Sequence, residues 1–243
     1  MLLRLQEIDL TEDITKIMNE IALNARIANE RLAAASNEEK NVALNIMAEK
    51  IENNAKHILS ENKKDIQIAK SSSLSESMID RLSIDDKDIK NIASSIRGIA
   101  KLDDPVGKIL GSWDRPNGLH IKKISIPIGV IGIIYESRPN VTADAASLCL
   151  KSGNASILRS GSDSYFSSYA IYETIQESLK NTSIDSKSIQ LVPSKDRDAV
   201  GLMLGGLDSS IDVIVPRGGK SLVSRVQSEA KIPVFGLLEG ICH

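Results

Sequence analysis

Between residues 128 and 235 the sequence alternates short aliphatic runs with longer stretches of helical character. The aliphatic runs have no polar face, which is typical of strands buried on both sides in a parallel sheet. The strand candidates are 128–135, 155–159, 189–192, 212–215 and 233–235, and the helix candidates between them are 142–151, 165–179, 196–204 and 221–230. Because parallel strands need crossover connections, this order predicts an α/β fold with a doubly wound, mostly parallel sheet.

The sequence predicts that residues 1–104 form helices that precede the sheet and pack on it. It predicts that residues 105–243 form a Rossmann-like domain. Two S-x-x-[DE] patterns, Ser36 with Glu39 and Ser83 with Asp86, predict helix starts. A further run, 119–125, alternates in polarity and predicts a strand. One apolar helical face is formed by Leu44, Met47, Ile51, Ala55 and Ile58.

Composition excludes several classes of protein. The formal net charge of -2 argues against a nucleic-acid surface that depends on bulk charge. No apolar run reaches the length of a membrane span, and the N-terminus lacks the pattern of a signal peptide. The two cysteines, Cys149 and Cys242, form neither a metal spacing nor a disulfide framework, so we expect no metal and a cytoplasmic location.

The segment IPIGVIGIIYESRPNVT, residues 126–142, ends an aliphatic run in polar residues. Either the strand leaves the core through an ordinary loop, or Tyr135 and the residues after it are presented to a ligand at the carboxyl edge of the sheet. Pro139 stiffens the loop and restricts Arg138. Asn140 has two N–H groups that suit an oxygen gaining negative charge, and Arg138 suits a carboxylate or phosphate.

A second strand end, ILRSGSD at residues 157–163, passes through small residues into a helix. Backbone N–H groups at a helix start favour phosphate, and Arg159 suits an additional phosphate such as the one on the adenosine ribose of NADP. The alternative is an ordinary turn in which Ser162 or Asp163 caps the helix. The pattern is not G-x-G-x-x-G, so the dinucleotide signal is weak by itself.

A third strand end, VIVPRGGKS at residues 213–221, joins strand and helix through glycine and basic residues. Gly219, Lys220 and Ser221 match the end of a Walker A loop, but Val215 stands where that loop requires glycine. A nucleoside triphosphatase is therefore disfavoured. Basic, glycine-containing ends on two strands of one sheet still favour a phosphate-bearing ligand over a purely structural role.

The two cysteines do not by themselves define a catalytic centre. Cys149 lies in a helical stretch of alanine and leucine, which predicts an inert core thiol. Cys242 precedes His243, but neighbouring residues on a strand point to opposite faces, so a structural role is favoured there too.

Three motifs together resemble gamma-glutamyl phosphate reductases of the aldehyde dehydrogenase superfamily. They are RPNGLHIKKISIPIGVIGIIYESRPNVTADAASLCLKSGNASILRSGSDS, VIVPRGGKSLV and IPVFGLLEGICH, in that order. The resemblance covers the chain from about Arg115 to its end. It implies the sheet of the aldehyde dehydrogenase cofactor-binding domain, and NADPH-dependent reduction of L-glutamyl 5-phosphate to L-glutamate 5-semialdehyde in proline biosynthesis, with a homo-oligomer possible.

The resemblance also implies roles for individual residues. Asn140 matches the asparagine whose amide stabilises the oxyanion of the thiohemiacetal. Arg159, with the loop that follows it, falls beside the adenosine ribose, and two glycines fall near the pyrophosphate. The loop is Ser160, Gly161 and Ser162, and the glycines are Gly218 and Gly219.

One departure from the family pattern leaves the activity of these 243 residues open. The family's catalytic cysteine lies in a later motif, similar to RPSVCNA, which this sequence does not contain, and Cys242 matches a different family cysteine. We therefore expect a chain cut short, without the catalytic domain. The alternatives are a dinucleotide-binding module without catalysis and an interaction module.

Overall fold

The computed structural model describes residues 14–196 and 198–236 of the chain. The helices in these ranges are α1 (Ile14–Ala33), α2 (Asn37–Asn53), α3 (Ala55–Ser71), α4 (Glu76–Leu82), α5 (Asp86–Ala100), α6 (Asn140–Lys151), α7 (Tyr165–Leu179), α8 (Asp198–Leu204) and α9 (Lys220–Glu229). The strands are β1 (Ile109–Asp114), β2 (His120–Ile124), β3 (Val130–Tyr135), β4 (Ala155–Arg159), β5 (Ile189–Leu191) and β6 (Val213–Arg217).

The four strands β3 to β6 form one parallel sheet in the order β5-β4-β3-β6. Every residue of β3, β4 and β5 is buried, which explains why these strands lack a polar face. Val234, in the strand candidate 233–235, forms a single parallel bridge to Ile214. The predicted parallel sheet is confirmed. Strand β2, predicted as 119–125, pairs antiparallel with β1 in a separate hairpin.

Helices cover both faces of the sheet. Ile131 and Ile133 of β3 share a core with α2, α5, α6 and α7, while Val130 and Ile134 share a second core with α1 and α8. The N-terminal helices thus pack on both faces, and α2 and α5 share a core with the sheet. None of the described helices has the length and apolar character that a bilayer crossing demands.

The two predicted helix starts have different outcomes. Ser36 and Glu39 form the expected reciprocal capping box at the start of α2. The prediction for Ser83 is wrong, because Ser83 ends α4 and its amide and hydroxyl both donate to the carbonyl oxygen of Ile79. Asp85 caps α5 instead, in a box with Asp88.

A buried polar cluster joins the N-terminal helices to the segment that leads into the sheet domain. The Lys40 ammonium group is 1% exposed and lies 2.6 Å from a carboxylate oxygen of Asp104. Burial alone would raise the pKa of Asp104, but hydrogen bonds from Lys40 and the Val106 amide, with the charges of Lys40 and Lys151, outweigh it and lower that pKa.

We expect Asp104→Asn to destabilise the protein at neutral pH and progressively less at acid pH. Since the folded-state pKa of Asp104 is lowered, its stabilisation is present above the unfolded pKa of about 3.9 and is lost as pH falls through the folded value. Urea unfolding at several pH values measures this difference. A difference that stays constant down to pH ~3 contradicts it, and Asp103→Asn, at an exposed neighbour, is the control.

Candidate functional site

Three loops meet at the carboxyl edge of the parallel sheet. Because β3 lies between β4 and β6, the loop after β3 contacts the loops after both neighbours. A methyl group added at Gly161, after β4, would lie 3.2 Å from the amide nitrogen of Ser137. One added at Gly218, after β6, would lie 2.5 Å from a carboxylate oxygen of Glu136. The structure therefore brings these predicted glycines together around residues 136–137.

Glu136 links these loops directly. Its carboxylate accepts a hydrogen bond from the Gly219 amide, at 2.8 Å, just before the first turn of α9. Glycine at 218 leaves room for this carboxylate, since a side chain there would overlap it. The sequence predicts no individual role for Glu136, because its contact with Gly219 joins residues that are far apart in the chain.

Arg159 ends β4 with its guanidinium group buried. The residue is 6% exposed, and it donates to the main-chain oxygens of Ser160 and, at 3.2 Å, Asp196. Its Nε has no hydrogen-bond partner among the described residues. Burial lowers the pKa of this guanidinium group. A buried cation whose bonds go to neutral carbonyls retains the capacity to pair with an anion.

The small residues after Arg159 differ in their exposure. The Ser160 side chain is buried, Gly161 is half-buried and Ser162 is exposed, where it begins a 3-10 turn at Ser162–Ser164. Neither Ser162 nor Asp163 caps α7, so the alternative in which one of them caps this helix is wrong. Asp65 of α3 accepts from the first-turn amides of α7 in their place.

Asn140 is the first residue of α6 and lies in a cleft of about 460 Å³. Its side-chain amide donates to a carboxylate oxygen of Asp144, one helical turn later, at 3.0 Å. Burial raises the pKa of Asp144, and hydrogen bonds from Asn140 and Ser95 oppose that rise. The i, i+4 spacing of Asn140 and Asp144 was the signal in the sequence that could have identified this pair.

The predicted residues do not share a single cavity. Gly218 lines a second cavity, of about 530 Å³, with the end of β6 and residues 234–236. Asn140 instead faces α4 and α5 across its own cleft. The structure thus clusters Gly161, Gly218 and Gly219 around Glu136 and places the Asn140 amide in a separate cleft.

Tyr135 belongs to the buried strand, as the strand candidate 128–135 predicts, and not to the residues that the alternative interpretation presents to a ligand. It is 1% exposed, and its hydroxyl hydrogen-bonds to the Thr142 hydroxyl at 2.7 Å. Tyr135 has the same strand parity as Ile131 and Ile133, so its side chain enters the same core. Burial raises the pKa of Tyr135 to about 12.

The described residues offer no activated thiol. Cys149 is 5% exposed, and burial raises its pKa to about 12, so its thiolate is not accessible near neutral pH. Cys242 lies outside the described residues. Residues 14–196 and 198–236 contain no group of three or more His, Cys, Asp or Glu side chains arranged to hold a metal ion.

Comparison with solved structures identifies the fold class. The chain is similar to a betaine aldehyde dehydrogenase from Staphylococcus aureus solved in complex with NAD+, with a TM-score of 0.69 at 15% identity, over 91% of this chain and 42% of that one. The fold is that of the aldehyde dehydrogenases.

Closer relatives define the family. The chain is 56% identical over 239 residues to a gamma-glutamyl phosphate reductase from Rhizobium etli, covering 98% of this chain and 56% of that relative. The crystal structure of gamma-glutamyl phosphate reductase from Thermotoga maritima matches with a TM-score of 0.87 at 41% identity, over 89% of this chain and 52% of that chain. No protein-family model matches. The chain belongs to the gamma-glutamyl phosphate reductase family and spans about half the length of the curated relatives it matches.

Proposed function

We propose that this chain is the cofactor-binding part of an enzyme that reduces L-glutamyl 5-phosphate to L-glutamate 5-semialdehyde with NADPH. The observation that carries this proposal is the sheet edge at which the loops of Gly161, Glu136 and Gly218 meet beside buried Arg159. Ligands of open parallel sheets bind beyond the carboxyl ends of the strands. The family and the fold favour the same reading.

The residues at this edge fit a dinucleotide phosphate. Arg159 has a buried guanidinium group whose Nε finds no hydrogen-bond partner within the described part of the chain, which suits the phosphate on the adenosine ribose. Ser160, Gly161 and Ser162 form the loop beside that ribose, and Gly218 and Gly219 precede α9. The Gly219 amide donates to Glu136, so pyrophosphate is assigned to the first-turn amides of α9 that follow it. When bound, the cofactor supplies a hydride.

Asn140 supplies the oxyanion contact in this proposal. One N–H of its amide donates to Asp144, which fixes the direction of the amide group. The second N–H then donates to the carbonyl oxygen of the substrate as negative charge develops there. The attacking thiolate, which the family resemblance places in a motif absent from this sequence, is not supplied by Cys149, whose thiol is buried.

Homo-oligomer formation and a cytoplasmic location are also part of the proposal. Apolar side chains on the β1–β2 hairpin support association, because Ile109, Leu110 and Leu119 are exposed. The cytoplasmic location rests on the absence of a disulfide framework in the sequence.

The second candidate is a dinucleotide-binding module without catalysis. It is favoured by one observation: the described residues contain the complete loop cluster at the sheet edge but no activated thiol. Both candidates require cofactor binding, whereas an interaction module does not.

Calorimetric titration of the chain with NADPH and with NADH tests the shared requirement. We expect NADPH to bind, and Arg159→Ala to weaken NADPH about tenfold more than NADH, because only NADPH carries the additional phosphate. Arg217→Ala removes an exposed arginine from the same sheet edge and should leave the NADPH-to-NADH ratio unchanged. Equal weakening of both cofactors by Arg159→Ala removes the phosphate assignment, and absence of binding by wild type refutes the proposal.

A further inference from the structure

The cleft that contains Asn140 carries charged groups of both signs. Its walls come from α4, α5 and the start of α6, and its volume is about 460 Å³. The charged residues that line it are Asp80, Arg81, Asp88, Arg138 and Asp144. A small zwitterion matches such a mixed lining better than an apolar molecule does.

Asp144 retains hydrogen-bond acceptor capacity in this cleft. One of its oxygens accepts from the Asn140 amide, and the other has only a long contact, 3.5 Å, from the Ser95 hydroxyl. No ion pair to Asp144 is found among residues 14–196 and 198–236, although the residue is half-buried. A carboxylate accepts up to about four hydrogen bonds, so Asp144 can take a cationic donor without releasing Asn140.

The side-chain contact between Asn140 and Asp144 relates Asp144 to the reacting carbon. The Asn140 amide nitrogen lies 3.0 Å from one Asp144 oxygen, and a group bound to its second N–H and a group bound to the other Asp144 oxygen each add about 3 Å. In L-glutamyl 5-phosphate the ammonium nitrogen lies roughly 5 Å from the acyl carbon in an extended chain of standard bonds. An acyl oxygen at Asn140 therefore brings the substrate's ammonium group within reach of Asp144.

We propose that Asp144 binds the ammonium group of the substrate's amino-acid end and so determines specificity for an α-amino acid. This inference rests on the proposed function, because it takes the acyl oxygen to lie at Asn140. Arg81 and Arg138, both exposed at the same cleft, supply guanidinium groups for the α-carboxylate and the phosphate.

The test compares L-glutamate with glutarate, which has both carboxylates but no ammonium group. Binding of each probe to the chain is measured by NMR titration. Wild type should bind L-glutamate about tenfold more tightly than glutarate, as expected for a hydrogen-bonded charge pair. Asp144→Asn keeps an oxygen that can accept from Asn140 but removes the charge, and it should reduce that preference to less than about twofold.

Asp80→Asn is the matched control, because it removes one negative charge from an exposed residue of the same cleft. It should retain the preference for L-glutamate. The inference is overturned if wild type binds L-glutamate undetectably or no better than glutarate, or if Asp144→Asn keeps the full preference.

NADPH titration of the same samples separates this inference from the proposed function. NADPH binding without any preference for L-glutamate overturns the inference and leaves the cofactor site intact. A preference that depends on Asp144 in a protein that does not bind NADPH supports the inference and overturns the proposed function. Melting temperatures of the variants show whether a lost preference reflects unfolding instead.

Discussion

Replacing Asn140 with alanine is expected to lower kcat by about 10²–10³-fold in a fusion of this chain to the C-terminal part of the Rhizobium etli relative. The amide is held by Asp144 at 3.0 Å, so it is oriented before the substrate arrives. Donors fixed in this way stabilise developing charge without reorganisation, which is why one such donor has a large effect on turnover. The measurement is the steady-state rate of NADPH oxidation with L-glutamyl 5-phosphate.

The matched control is Asn91→Ala, which removes another amide from the same cleft. Asn91 lies on α5, away from the start of α6. If the oriented Asn140 amide alone stabilises the oxyanion, loss of the Asn91 amide should change kcat less than about threefold. NADPH affinity should be nearly unchanged in both variants. If Asn140→Ala retains full turnover, or if it loses NADPH binding in proportion to kcat, the oxyanion role is wrong.

The central strands were predictable because strands that are buried on both faces consist almost entirely of apolar residues. Every residue of β4 is buried, and the predicted run 155–159 coincides with that strand. Helix α7 was likewise predicted with its observed bounds, Tyr165–Leu179. In these segments the positions that the periodicity marks as apolar are also the positions that the fold buries. The local pattern and the global fold therefore agree.

The contacts that organise the sheet edge were not predictable in the same way. Glu136 meets Gly219 only because β3 and β6 are neighbours in the sheet, and strand order is not encoded by any local pattern. Tyr135 was left between the buried strand candidate and the polar loop, and its strand parity with Ile133 decides for the buried strand. Its partner Thr142 satisfies the tyrosine hydroxyl, which removes the cost of burying it.

Asp65 illustrates a cap supplied from a distant part of the chain. It is 2% exposed and accepts hydrogen bonds from the Phe166 amide at 3.1 Å, the Ser167 amide at 2.7 Å and the Ser167 hydroxyl at 2.5 Å. The side chain of the local N-cap residue, Ser164, makes no capping hydrogen bond to the main chain of α7. The first turn of α7 therefore depends on α3 for its acceptors.

We expect Asp65→Ala to lower the free energy of unfolding by about 3 kcal/mol, because a buried amide, a half-buried amide and a buried hydroxyl lose a charged acceptor at once. The measurement is urea unfolding followed by circular dichroism, in which the midpoint should fall while the slope stays constant. Since α7 follows the loop of Ser160, Gly161 and Ser162, NADPH binding should weaken as well.

Asp163→Ala separates this cap from a general effect of negative charge near α7. Asp163 precedes the same helix, but among the residues that the structure describes its side chain makes only a loose contact, 3.4 Å, with the Ser162 hydroxyl. Its removal should change the free energy of unfolding by about 0.5 kcal/mol or less. If both variants are destabilised equally, the helix start responds to charge rather than to the directed hydrogen bonds of Asp65. If neither is destabilised, the first turn of α7 is satisfied by water, and α3 is not its anchor.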